Sequence, residues 1–254
     1  MLGFFLPLKC LGCGAHVPGA GRAERSEPLC LDCALALRAP PGPRCPRCDL
    51  PRGTGRDRPA RCGHCEDWPA VLSRAVAAVA LEPPADALVQ ALKYGGWSAA
   101  AIPMARRMVA RLREISVSEA VGIVPVPTTA RRRLRRGYNQ AEILAAAMAR
   151  ELDLELFEAL ARKPGQTSQV ALQADDRRAN VQMAFGPGPS AHRVTHQSHL
   201  ILVDDVLTTG ATAGAAALTL AALGAQKVTF VAFARTLPHS IIVSVADSMS
   251  SVHP

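Results

Sequence analysis

Leu200-Ile-Leu-Val-Asp-Asp-Val-Leu-Thr-Thr-Gly-Ala-Thr212 is the stretch that decides the fold. An apolar strand, Leu200–Val203, ends in two acids; threonines and a glycine follow, then a helix over Thr212–Leu223 stopped by Gly224. A loop so placed offers backbone N–H groups and hydroxyls at a helix N-terminus, where the helix dipole and unpaired amides favour phosphate. Gly210 permits a backbone geometry that a Cβ would hinder. Asp204 and Asp205 fall at the carboxyl edge of the sheet, where α/β proteins bind ligands. Carboxylates there accept hydrogen bonds from ribose hydroxyls or approach Mg²⁺ through water. Taken singly, these residues also suit a plain strand–turn–helix, with Asp205 in an Asx-turn and Thr208 or Thr209 as N-cap. The combination at fixed spacing points to phosphate. A Walker A loop is excluded, because no G-x4-G-K-[ST] occurs.

Working outward, Val76–Leu81 reads as a strand, and Pro84 opens a helix through Tyr94 that Gly95 and Gly96 stop. Residues 98–114 read as an amphipathic helix with Pro103 in its first turn. Val121–Val126 reads as a buried strand, and residues 139–152 as a helix with Ile143, Leu144, Ala147 and Met148 on one face. Lys227–Phe233 is a further apolar strand. Mostly apolar strands alternating with helices imply α/β architecture, a parallel sheet covered on both faces. The expected organisation is a Cys-rich module over 1–70, an α/β domain over 71–236 and a tail over 237–254 whose apolar run at 241–245 reads as an edge strand.

All eight cysteines fall in C-x2-C pairs: Cys10/Cys13, Cys30/Cys33, Cys45/Cys48 and Cys62/Cys65. A C-x2-C turn brings two thiolates onto one edge of a metal tetrahedron, and two turns complete a closed four-cysteine zinc site. Four pairs make two structural zinc sites. Sequential pairing is preferred; a nested order, with Cys30/Cys33 joined to Cys45/Cys48, stays open. A thiol-redox C-x-x-C would need a neighbouring βαβ pattern, and an iron–sulfur cluster is a minor alternative. The segment is rich in Pro and Gly and poor in large apolar residues, so the metals are expected to be needed for its folding. The first ten residues make a poor signal peptide, and no 18-residue run is apolar and free of charge. The expectation is a cytoplasmic, soluble protein with no membrane association.

The 254 residues carry 29 Lys+Arg against 21 Asp+Glu, a net charge of +8. Only four of these cations are lysines, so a lone arginine is weak evidence of function. Two zinc ions held by eight thiolates bring the chain down to about +4. Aromatic residues make up only 4%, thin for a protein that stacks single-stranded bases. Arg131-Arg-Arg-Leu-Arg-Arg136 reads either as a pyrophosphate or nucleic-acid contact or as a solvated loop. Asn139 reads equally as an N-cap or a ligand, and Lys93 as a helix-end cation or a site residue. The segment from Lys163 to Arg178 lacks apolar periodicity and reads as a long functional loop. Of the late histidines, His192, His196, His199, His239 and His253 read as surface residues.

The 200–212 segment resembles the phosphoribosyl-pyrophosphate (PRPP) motif of type I phosphoribosyltransferases. With the four C-x2-C pairs ahead of it, the chain resembles the ComF/GntX family. Leu92-Lys-Tyr-Gly95, Val124-Pro-Val-Pro127, Arg135-Arg-Gly-Tyr-Asn-Gln140 and Arg177-Arg-Ala-Asn-Val181 through Phe185 match its pattern, over about residues 8–236. The resemblance implies a type I phosphoribosyltransferase-like domain behind a double zinc ribbon. It implies that Asp204 and Asp205, also the expected catalytic residues, hold the ribose hydroxyls of Mg²⁺-bound PRPP. Thr208, Thr209, Gly210, Ala211 and Thr212 would cradle the 5′-phosphate, with Ala211 where many phosphoribosyltransferases have a second Gly. Lys93, Arg131, Arg132 and Arg136 would lie on the pyrophosphate side, and residues 163–180 would form a mobile flap. Phosphoribosyl transfer to an unidentified acceptor is the implied activity, associated with competence and DNA uptake. The other implied reading is a non-catalytic PRPP or nucleotide sensor that contacts single-stranded DNA or a DNA-uptake helicase. A homodimer is an open expectation.

Overall fold

The computed structural model describes residues 9–17, 28–52, 62–94, 98–117, 119–163, 184–196 and 198–238. Five parallel strands form the main sheet: β1 (Leu72–Ala80), β2 (Ala120–Pro125), β3 (Glu155–Leu156), β6 (His199–Leu207) and β7 (Lys227–Arg235), in the order β1-β7-β6-β2-β3. Side chains alternate along each strand into two cores. Ile201, Val203, Val231 and Phe233 face helices α2 (Ala85–Tyr94), α3 (Ala101–Glu114) and α5 (Gln140–Leu152). Leu200, Leu202, Phe230 and Ala232 face α6 (Ala211–Ala222) and a two-stranded antiparallel ribbon, β4 (Leu160–Arg162) with β5 (Phe185–Pro187). Burial on both faces is why these strands read as continuous apolar runs.

The strands outrun the sequence expectation at both ends. β1 begins at Leu72 rather than Val76. β6 does not end before the acids: Asp204 pairs in register with Ala232, and Leu207 with Arg235. The Arg-rich run, read either as a pyrophosphate or nucleic-acid contact or as a solvated loop, forms a helix, α4 (Ala130–Arg136). Thr129 caps it by accepting from the Arg132 N–H at 3.3 Å, and Gly137, at φ +82°, closes it. His199, expected at the surface, is buried, and its Nε2 meets Thr229 Oγ1 at 2.9 Å. The long loop after Lys163 and the 241–245 run lie outside the described residues.

The Cys-rich segment caps the sheet edge. Among the described residues β1 pairs as a strand only with β7, which leaves its outer amides in need of partners. Ala75 N–H donates to the Arg47 carbonyl (2.7 Å), Ala77 N–H to Asp49 Oδ2 (3.1 Å) and Ala80 N–H to the Arg38 carbonyl (2.8 Å). Asp49 is buried and ion-paired to Arg111 of α3 at 2.8 Å. Leu29, Cys33 of the short helix α1 (Leu31–Ala36) and Leu37 join the same core as α2 and α3. No helix among the described residues is long and apolar enough to cross a membrane.

Candidate functional site

The chain leaves β2 for the edge strand β3 and then returns to lay β6 on the other side of β2. That reversal opens a crevice beyond the carboxyl ends of β2 and β6, where open α/β sheets take ligands. A cavity of about 270 Å³ lies there. Asp204, Asp205 and Thr212 line it from β6 and α6, and Val126, Pro127 and Thr128 from the turn after β2. Lys93 and Tyr94 enter from the end of α2, Arg132 and Arg136 from α4, Gln140 from α5 and Arg162 from β4. The structure thus gathers Asp204, Asp205, Thr212, Lys93, Arg132 and Arg136 of the expected residues. Arg131 is exposed on α4 and is not among the lining residues.

Asp205 is buried, and Lys93 Nζ lies 3.0 Å from its Oδ2. This is an ion pair rather than an aligned hydrogen bond, since Oδ2 has no hydrogen-bond partner among the described residues. Asp204 is half-buried and its Oδ1 accepts the Asp205 N–H at 2.8 Å. Desolvation first, and then the neighbouring Asp205 charge, raise the Asp204 carboxyl to about 8, against the pull of Lys93. A carboxyl held neutral beside a second acid is a site that a cation or a hydroxyl-bearing ligand relieves. On the opposite wall, desolvation and then repulsion from Arg132 lower Arg162 below the usual guanidinium range, while Asp204 opposes the shift. Arg162 is a site residue that sequence reasoning misses; it stands in a three-residue strand too short to show periodicity.

Arg136 is held in place from two sides. Its Nη1 donates to Gln140 Oε1 at 2.9 Å, and its guanidinium lies 4.9 Å from the Tyr94 ring centre. Asn139 resolves as a structural residue: it caps α5 by accepting from Ala141 N–H, and its Nδ2 donates to the buried Val126 carbonyl at 3.0 Å.

Gly210 holds φ +82° at the N-cap of α6, which has no side-chain cap. Thr208 and Thr209 are exposed. A Cβ on Gly210 would fall 2.1 Å from Trp68 Cζ2, so the Cys-rich segment packs directly on this loop. Neither Trp68 nor that contact was legible in the sequence.

The eight cysteines form two groups, Cys10/Cys13/Cys30/Cys33 and Cys45/Cys48/Cys62/Cys65, each with its four sulfurs within 4.8 Å of one another. The pairing is sequential, not nested. Sγ–Sγ separations of 3.7 Å (Cys13–Cys30, Cys48–Cys62) and 3.8 Å (Cys45–Cys65) are far longer than a disulfide bond. They match the edge of a tetrahedron with Zn–S near 2.3 Å, about 3.8 Å. Cys30 N–H points at Cys10 Sγ (3.2 Å) and Cys33 N–H at Cys30 Sγ (3.5 Å), the amide-to-sulfur contacts that favour thiolate. Both groups can hold zinc. Arg47, inside the Cys-Pro-Arg-Cys knuckle, donates to the carbonyls of Cys65 (2.7 Å), Trp68 (2.8 Å) and Pro69 (3.1 Å), which fixes the chain leaving the second group.

No protein-family model matches the chain. Among curated proteins it is similar to DNA utilization protein YhgH of Escherichia coli K12, 31% identical over 214 residues, covering 82% of this chain and 91% of that protein. The YhgH of Salmonella typhi is 32% identical over 215 residues, with the same coverage. Competence protein F of Haemophilus influenzae is 29% identical over 236 residues, 90% of this chain and 96% of that protein. Solved structures that align include the glutamine PRPP amidotransferase from B. subtilis complexed with ADP and GMP, at TM-score 0.38 and 15% identity, over 56% of this chain and 30% of that one. Adenine phosphoribosyltransferase from Saccharomyces cerevisiae aligns at TM-score 0.33 and 18% identity, over 59% and 74% of the two chains.

Proposed function

This chain belongs to the ComF/GntX family, that of competence protein F and DNA utilization protein YhgH, and from that premise we propose that its crevice binds PRPP with Mg²⁺ and transfers the phosphoribosyl group to an acceptor. The observation that carries the reading is one cavity lined by an acidic pair, Asp204 and Asp205, and by four cations, Arg132, Arg136, Arg162 and Lys93, the last ion-paired to Asp205. Asp204 and Asp205 accept the ribose hydroxyls. The 208–212 loop takes the 5′-phosphate on its amides and hydroxyls. The four cations face the pyrophosphate and stabilise the negative charge it gains on leaving. Asp204 and Asp205 are the donor set that would hold a Mg²⁺ ion bound with PRPP, which would supply further neutralisation of that charge.

In the reaction, the bond from the anomeric carbon to the pyrophosphate oxygen breaks and the electron pair leaves with pyrophosphate. The acceptor's lone pair forms the new bond, and its proton goes to solvent. The protein mainly orients the partners and excludes water. Pyrophosphate release from PRPP by zinc-loaded protein, screened against purine, pyrimidine and amine acceptors, tests this. Release with one acceptor class above the level of Asp205→Asn supports transfer. PRPP binding with no release across the panel contradicts it.

A second reading rests on α4, where Arg131 and Arg135, one turn apart, share a face beside Leu134, 88% exposed, while Arg133 pairs with Glu142 at 3.1 Å. That face suits single-stranded DNA or a DNA-uptake helicase. Several phosphate contacts would give a steep fall of log affinity with log salt; a flat dependence rules DNA out.

A further inference from the structure

Arg235, the last residue of β7, is fully buried (0% exposed). A guanidinium is rarely buried without an anion, because desolvation of an unpaired charge is costly. Nη2 lies 3.1 Å from His64 Nε2, while Nε and Nη1 have no hydrogen-bond partner among the described residues. Burial works against its charge; the groups that favour the charge are Cys48, Asp49, Cys62 and Cys45. Asp49 is already engaged by Arg111 at 2.8 Å, by Arg44 at 3.6 Å and by the Ala77 amide. Among the described residues, what remains of these groups is the second cysteine group. Four thiolates around one zinc ion carry a net charge of about −2, and His64 sits between Cys62 and Cys65 of that group.

The same residues reach the 208–212 loop. Arg235 stands in register with Leu207, the residue before Thr208. The His64 ring interacts with the Thr208 backbone and lies edge-on to Trp68, centroids 6.2 Å apart. Trp68 in turn fills the space beside Gly210.

We infer that Arg235 is a positioning residue: it is the buried counter-charge of the second four-cysteine metal centre, and through His64 it locks that centre to the 208–212 loop. The metal centre is then part of the loop's support rather than an independent module. This holds whatever ligand the loop receives.

The test uses zinc-loaded full-length protein in a Trp97→Phe background, which leaves Trp68 as the only tryptophan. Zinc transfer to a chromogenic chelator and Trp68 emission are followed together in wild type, Arg235→Met, Arg235→Lys and His64→Ala. Arg235→Met should release one zinc equivalent about tenfold faster or more and the other at the wild-type rate, with Trp68 emission shifting red in step with the fast one. Arg235→Lys keeps the charge and should release within a few-fold of wild type. Unchanged release in Arg235→Met overturns the inference. So does equal acceleration of both equivalents, or identical behaviour of the Lys and Met variants. If Arg235→Met does not fold, the other two decide. Retention of both zincs by Arg235→Lys, with shifted Trp68 emission in zinc-replete His64→Ala, supports the inference. Fast loss of one equivalent from Arg235→Lys, or unshifted emission in His64→Ala, overturns it. No PRPP enters the assay, so its failure is separate from failure of the PRPP reading.

Discussion

Asp204→Asn should make the protein more stable, and increasingly so as pH rises. The folded carboxyl is raised from 3.8 to about 8 by burial and by Asp205. Below the unfolded value both states hold the proton and nothing is lost. Between the two values the folded state holds a proton that the unfolded state has released, and stability falls by about 1.4 kcal/mol per pH unit. Above the folded value both states are ionised and the loss levels off. At pH 7 the side chain therefore costs about 4 kcal/mol relative to a neutral isostere. Asparagine keeps an Oδ1 for the Asp205 N–H and carries no charge to desolvate. Thermal unfolding of ligand-free, zinc-loaded protein from pH 6 to 9 tests this while keeping the thiolates metallated. The variant's advantage should grow by about 2 kcal/mol between pH 6 and 8, at about 2–4 °C of Tm per kcal/mol, and then level off. A pH-independent difference, or a variant less stable than wild type, refutes the reasoning. The growing advantage, if found, marks the site as one that sacrifices stability for ligand binding.

Three further outcomes follow from the same geometry. Lys93→Met leaves the buried Asp205 carboxylate without its 3.0 Å partner and should cost about 3 kcal/mol in urea unfolding. Adding Asp205→Asn should recover most of that loss in a double-mutant cycle. Gly210→Ala forces a Cβ into φ +82° and against Trp68; a loss of about 2–4 kcal/mol is expected, and Trp68→Ala should relieve the steric share but not the backbone share. Metal analysis of purified protein should find two zinc per chain; one zinc, or none with intact disulfides, contradicts the two-centre assignment.

The sequence made β6, the 208–212 loop and α6 readable, because an apolar run, a Gly at a left-handed N-cap and an Ala-rich helix each follow local rules. It stopped β6 at Val203, since charges end an apolar run. In the structure β7 goes on pairing past Asp204 to Leu207, and Lys93 receives the Asp205 charge. Arg235 escaped notice for the same reason: nothing local says that a terminal arginine of a strand is buried. The helix of α4 was hidden by five arginines without an apolar face, although Thr129 and Gly137 were the signals that mark its ends. Arg162 and the β4–β5 ribbon depend on two three-residue segments 22 residues apart, below what periodicity can show. The pairing of the C-x2-C knuckles was left to tertiary structure, and so was their contact with the loop through Trp68.

The most direct measurement is calorimetric titration of PRPP with Mg²⁺ into zinc-loaded wild type, beside the Asp204→Asn/Asp205→Asn double variant. The account predicts micromolar binding by wild type and its loss in a double variant that remains folded and zinc-replete. No heat of binding from folded, zinc-replete wild type, or equal binding by the two proteins, contradicts the assignment of this crevice as a PRPP site.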